Sequence, residues 1–183
     1  MNHAVVKKTA VQTDGFDVWR KISLHTKPSW PTLDDMGVGF LGQGFELYRR
    51  TPNLPEQTEL DLVLTRVSDF GFDTEVSYRR FCTAVMKCGL QLCPPLVGPA
   101  LRMVYKDQPR GQWLYIGMEG LQLPPVHEDL EDEDDPEYIP PHTTEIFAVV
   151  CGGDGRLWLN SSMASARRRR HPSDRFVFVK PRK

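Results

Sequence analysis

The chain has 183 residues, of which 40% are hydrophobic and 26% charged, with a net charge of -1 at pH 7. That length buries a core without disulfide or metal staples, and that composition excludes wholesale disorder. No run approaches the roughly twenty apolar residues of a membrane helix, and the near-zero charge gives no global field for nucleic acid or a membrane surface. Met1 to Lys8 lacks the apolar core of a signal peptide, so the expected location is the cytoplasm and no membrane partner is expected.

Residues 1–57 read as a loosely organised arm, with a short helix around Asp17 to Ile22 and the breaker-rich stretch Lys27 to Pro31, anchored by Trp19 and Trp30. Gly37-Val38-Gly39-Phe40-Leu41-Gly42 matches a bare G-x-G-x-x-G. Read as a flexible connection followed by a β-like Phe45 to Tyr48, it lacks the strand before and helix after that a dinucleotide site requires.

Residues 58–183 carry the folding signal. Leu60 to Val67 alternates as a strand, and Val76, Tyr78, Phe81, Cys82, Val85 and Met86 recur at helical spacing after a Thr74 cap, with Gly89 as the stop. Leu101 to Tyr105 and Gln112 to Met118 read as a hairpin. His127 to Glu137 is almost entirely acidic and belongs to a loop, 127–142, without the glycine a calcium loop needs. Glu145 to Cys151, the turn Gly152 to Gly155 and Arg156 to Leu159 read as strand, tight turn, strand, and Arg175 to Lys180 as a last strand. Between them Asn160 to Asp174 shows neither period, and a loop of that length in a compact domain is functional or disordered. The expected class is α+β, a mostly antiparallel sheet with one main helix; a C-type-lectin-like arrangement and a small β-barrel both fit.

Cys82, Cys88, Cys93 and Cys151 lack C-x-x-C pairing and are expected as buried free thiols. A site of Cys88 and Cys93 with His127 or His142 can be drawn but has no metal-ligand spacing, so no metal and no cofactor are expected.

The segments Leu62 to Phe72, Cys88 to Pro94, Val97 to Arg102, Tyr105 to Pro109, Gly111 to Glu119, Asp154 to Asn160 and Asp174 to Phe178 together resemble a protein family of candidate-phylum bacteria. The resemblance carries over no catalytic residue. In similar proteins the segment between the Trp-Leu pair and the terminal strand resembles the variable region of a diversity-generating retroelement target protein, in which adenine changes scatter asparagine codons. Ser161, Ser162, Arg167, Arg168, Arg169, Arg170, His171, Ser173 and Asp174 are reachable from asparagine codons in that way.

The functional expectation is a binding protein whose sheet presents this loop to a protein or other macromolecular ligand, through Trp158, Asn160, Ser161, Ser162, Ser165, Arg167, Arg168, Arg169, Arg170, His171, Ser173, Asp174 and Arg175. Arg167 to Arg170 also suit an anionic partner, because guanidinium forks pair with phosphate and carboxylate; nucleic acid is unsupported without interleaved stacking aromatics. A hydrolase-like enzyme would draw on His127, His142 or His171 with Ser77, Ser161 or Cys151, yet none lies in a recognised catalytic motif. No catalytic residue is therefore assigned. The bland reading of the arginine run is a solvated basic loop.

Overall fold

The structure is a computed structural model that describes residues 15–124, 143–165 and 168–182. In chain order the elements are β1 (Arg20–Leu24), α1 (Trp30–Asp35), β2 (Val38–Leu41), α2 (Gly44–Arg50), β3 (Thr58–Arg66), β4 (Val76–Ser77), α3 (Tyr78–Lys87) and α4 (Val97–Val104). There follow β5 (Trp113–Ile116), β6 (Leu121–Leu123), β7 (Thr143–Cys151), β8 (Leu157–Met163), β9 (Arg169–Arg170) and β10 (Arg175–Lys180). The expected acidic loop 127–142, Arg167, and the histidines at 127 and 142 lie outside the described residues.

An eight-stranded sheet runs β1-β3-β10-β5-β7-β8-β2, with β6 beside β7. Its pairs are antiparallel except β10 with β5 and β2 with β8. The class is α+β with a mostly antiparallel sheet, as the strand pattern implies. The sheet ends in β1 and β2 without closing, which removes the small barrel as an architecture. A separate two-stranded ladder joins β4 to β9.

Side chains alternate across a strand, so Tyr115, Ala148 and Phe176, in one row, face away from Phe147. Helix α3 lies on the first face through Phe81, whose ring centroid is 4.8 Å from Phe176 and 5.6 Å from Phe178. Helix α4 lies on the other. A Cβ on its Gly98 would stand 2.5 Å from the Phe147 ring, so only glycine permits that approach.

Four expectations fail in this region. Asp17 to Ile22 is not a helix: Ile22 and Leu24 are buried on alternate positions of β1, which pairs with β3. The segment 15–57 is not loose but supplies both edge strands of the sheet. Leu101 to Val104 belongs to α4, with Tyr105 as its C-cap, rather than to a hairpin, because Val97, Leu101 and the side chain of Arg102 form one buried helical face after Pro94-Pro95. Helix α3 begins at Tyr78, not Thr74, since Val76 and Ser77 are committed to pairing with Arg170 and Arg169. The main helix is thus one of four among the described residues.

The glycine motif is also corrected. Val38 to Leu41 is a strand and Gly44 opens a helix, so Phe45 to Tyr48 is helical. The glycines are spent on packing: a Cβ on Gly39 would meet the Trp158 ring at 2.3 Å, and one on Gly44 the Leu159 carbonyl oxygen at 2.3 Å. Trp19 packs edge-on against Tyr105 at 5.1 Å, while Trp30, 40% exposed, tops a cluster with Phe40 and Phe45.

Phe81 is fully buried among Phe70, Phe72, Phe176 and Phe178. Phe81→Ala is expected to cost about 3 to 5 kcal/mol in chemical denaturation through the cavity left behind. A loss below about 1 kcal/mol, the scale of a surface change, would contradict this placement.

Candidate functional site

The stretch from Asn160 to Asp174 is not one long loop. Strand β8 continues through Met163, paired with Glu145, and Arg169 and Arg170 form β9. What separates β8 from β10 is therefore a short excursion pinned midway. The turn at its end is locked by polar bonds: the Asp174 carboxylate accepts the His171 backbone N–H at 3.0 Å, and His171 Nδ1 lies 2.7 Å from Ser173 Oγ.

Arg170 does the pinning. It is fully buried, against the expectation of a displayed side chain. Its guanidinium carbon lies 4.8 Å from the Tyr115 ring centroid, 5.4 Å from Tyr78 and 5.7 Å from Phe176. It donates to Ser162 Oγ at 3.0 Å and to the Met163 carbonyl at 2.5 Å, leaving Nε without a partner among the described residues. Burial lowers its proton affinity, but a guanidinium stays charged, and the ring faces and carbonyl supply what water would have given. Arg168 and Arg169, by contrast, are exposed, with Arg169 donating to the Glu75 carbonyl at 2.7 Å.

Two open clefts meet at Arg168. The first, about 420 Å³, is lined by Gln43, Trp113, Thr143, Glu145, Asn160, Ser161 and Ser162, with Arg168 on its wall. The second, about 530 Å³, is lined by Glu75, Tyr115, Arg168, Arg169, His171 and Asp174. The first opens where β2 ends at Leu41 opposite Asn160, alongside the carboxyl-terminal half of β8. There Gly42, at a φ of +52°, brings the chain within reach of Asn160 and Ser161, and Gln43 donates its backbone N–H to Ser161 Oγ at 3.0 Å. Asn160 Oδ1 accepts the Ser161 N–H at 2.8 Å, and Gln43 Nε2 donates to Thr143 Oγ1 at 3.2 Å.

Glu145 sits beside this network at 3% exposure, where the Thr143 and Ser161 hydroxyls favour its ionised form. Burial pushes its carboxyl above the ordinary glutamate range, and those hydroxyls and the more distant Arg170 offset this only in part.

Of the sequence-predicted residues, Asn160, Ser161, Ser162 and Arg168 line the first cleft and Arg168, Arg169, His171 and Asp174 the second. Trp158 is half-buried over Gly39, Ser165 keeps a buried hydroxyl without a partner among the described residues, and Ser173 caps the turn. Arg175 is half-buried at the start of β10. Sequence reasoning missed Glu145, Gln43, Thr143, Trp113 and Tyr115. The available signal was Glu145 itself, an acid heading the apolar run Ile146 to Val150 in a strand buried almost throughout.

Of the hydrolytic pairings only those of His171 fall among the described residues, and its ring bonds to Ser173 rather than to Ser77, Ser161 or Cys151. Ser173 and His171 are two residues apart in a turn, where Nδ1 also accepts the Ser173 backbone N–H at 3.2 Å, so their contact is a cap. Cys151 is buried in β7, and Ser77 precedes α3. All four cysteines are free, and no cluster of His, Cys, Asp and Glu among the described residues could hold a metal ion. Among the described residues, no helix is long and apolar enough to cross a membrane. No family model, curated protein or solved structure matches the chain.

The arginines should separate cleanly in denaturation experiments. Arg170→Ala is expected to cost about 3 kcal/mol or more by emptying an aromatic box and orphaning its acceptors, whereas Arg168→Ser and Arg169→Ser should each stay within about 0.5 kcal/mol. Equal losses at all three positions would contradict the burial of Arg170.

Glu145 sets a second expectation. Its folded carboxyl holds a proton more tightly than in the unfolded chain, so its stabilising share is fully present below the unfolded value and is lost as pH rises through the folded one. Glu145→Gln should therefore gain stability relative to wild type between about pH 4 and pH 7. Denaturation midpoints over that range test this; identical pH slopes in the two proteins would overturn it.

Proposed function

We propose that this protein binds an anionic group of a ligand or partner on the wall formed by the end of β8, β9 and the turn into β10. The observation that carries the reading is Arg168, an exposed guanidinium lining both clefts, with Arg169 and His171 beside it in the second. Guanidinium forks match phosphate and carboxylate oxygens, and a rigid sheet behind them lowers the ordering cost of binding. Arg170 supplies the rigidity and none of the contact.

A diversified binding surface is part of the same proposal. The adenine-reachable residues Ser161, Ser162, Arg168, Arg169, His171 and Asp174 line the two clefts, while buried Arg170 would be the position least free to vary. A reverse-transcriptase gene beside the coding sequence, with an imperfect repeat of the codons for Trp158 to Arg175, is the genomic mark of that history.

Titration with inorganic phosphate at two ionic strengths tests the anionic reading. Affinity should fall with salt, and Arg168→Ser with Arg169→Ser should weaken binding about tenfold and flatten the salt dependence. A folded double variant that binds phosphate as wild type does, or a wild type that binds none, would overturn it.

A further inference from the structure

Glu145 is the only buried carboxylate among the described residues, and no lysine, arginine or histidine among them forms an ion pair with it. Yet it lines an open cleft rather than a closed core. A carboxylate placed there is partly desolvated, and among the described residues its ionised form is favoured by two neutral hydroxyls, from Thr143 and Ser161, and by Arg170. Among the described residues no cation is within ion-pairing distance, and the open side of the cleft is where a ligand could supply one. Arg168, of opposite charge, lines the same cleft. Gln43 and Asn160, whose amides can accept as well as donate, line it too.

Resting on the anion-binding reading above, we infer that the first cleft takes a zwitterion, a small molecule carrying a primary ammonium directed at Glu145 and an anionic group at Arg168. An ammonium brings three donors to a carboxylate, and a charge-assisted bond in a partly desolvated cleft is worth more than one in water. The same ammonium would stabilise the ionised form of Glu145 that burial disfavours. Ligand binding and the ionisation of this side chain are then one event.

The experiment compares O-phosphoethanolamine with ethyl phosphate, which has the same chain without the amine, by calorimetric titration of wild type, Glu145→Gln and Arg168→Ser. Wild type should prefer O-phosphoethanolamine by about tenfold or more. Glu145→Gln keeps the shape but not the charge, so it should lose the preference, the ratio of the two affinities falling to about one. Arg168→Ser should weaken both ligands. Equal affinities in wild type, or a preference that survives in Glu145→Gln, would overturn the zwitterion while leaving anion binding in place. Failure of wild type to bind either compound would overturn both.

Discussion

The burial of one cation, Arg170, which forms no ion pair among the described residues, is the constraint on which the C-terminal half of the structure depends. Its guanidinium is held between the rings of Tyr78, Tyr115 and Phe176, which come from α3, β5 and β10. Its nitrogens reach Ser162 and Met163 on β8. A charge taken from water without a counter-ion is costly unless π faces and fixed acceptors replace its hydration, so those five residues must stay in register for the arrangement to hold. Tyr78 is fixed in turn, donating to the Met118 carbonyl at 2.6 Å and accepting the Met118 N–H at 2.9 Å. A two-residue strand as short as β9 could not persist on its ladder bonds alone; the buried arginine makes it persist.

Arg102 solves the same problem on the α4 side by a different route. It too is fully buried, and it donates to Gln108 Oε1 at 2.6 Å, to the Val150 carbonyl at 3.4 Å and to the Tyr105 carbonyl. Gln108 passes the bonding on to the Val149 and Gln112 carbonyls, each at 3.0 Å. Burial lowers the Arg102 pKa to about 10, still far above neutrality, so the charge stays and the surrounding carbonyls must stay oriented toward it. Among the described residues neither arginine forms an ion pair with a carboxylate, that of Glu145 included.

Alternation and helical spacing made the central framework legible in the sequence: β3, β7, β10 and the buried stripe Phe81, Cys82 and Val85 of α3 fall where those periods place them. Shorter elements were not legible. In Leu101 to Tyr105 an arginine between apolar residues imitates the polar half of a strand, and only its complete burial shows that it belongs to the inner face of a helix. Likewise β2 is hidden because its glycines answer to the Trp158 ring and not to a turn. The site was half legible for a related reason. Composition marked the arginine run and its flanking serines, but adjacent arginines look alike in sequence, and the rings that separate Arg170 from Arg168 and Arg169 lie at 78, 115 and 176. Contacts between residues so far apart in sequence have no local signature.

The polar groups of the first cleft are already bonded to one another, which bears on how it could discriminate. Asn160, Ser161, Gln43 and Thr143 are linked through the close approach that Gly42 permits, and Gly44 presses the opening of α2 onto the β8 backbone. A ligand would find these groups oriented and pay little to order them, so the binding energy would be set by the two charges rather than by the amides. The two charges differ in kind. Arg168 is exposed and screened, which suits capture and exchange, whereas Glu145 is sheltered and acts over a short range, which suits selection. A cleft with an outer cation and an inner acid would therefore admit anions broadly and retain those that also bring a positive charge to its floor.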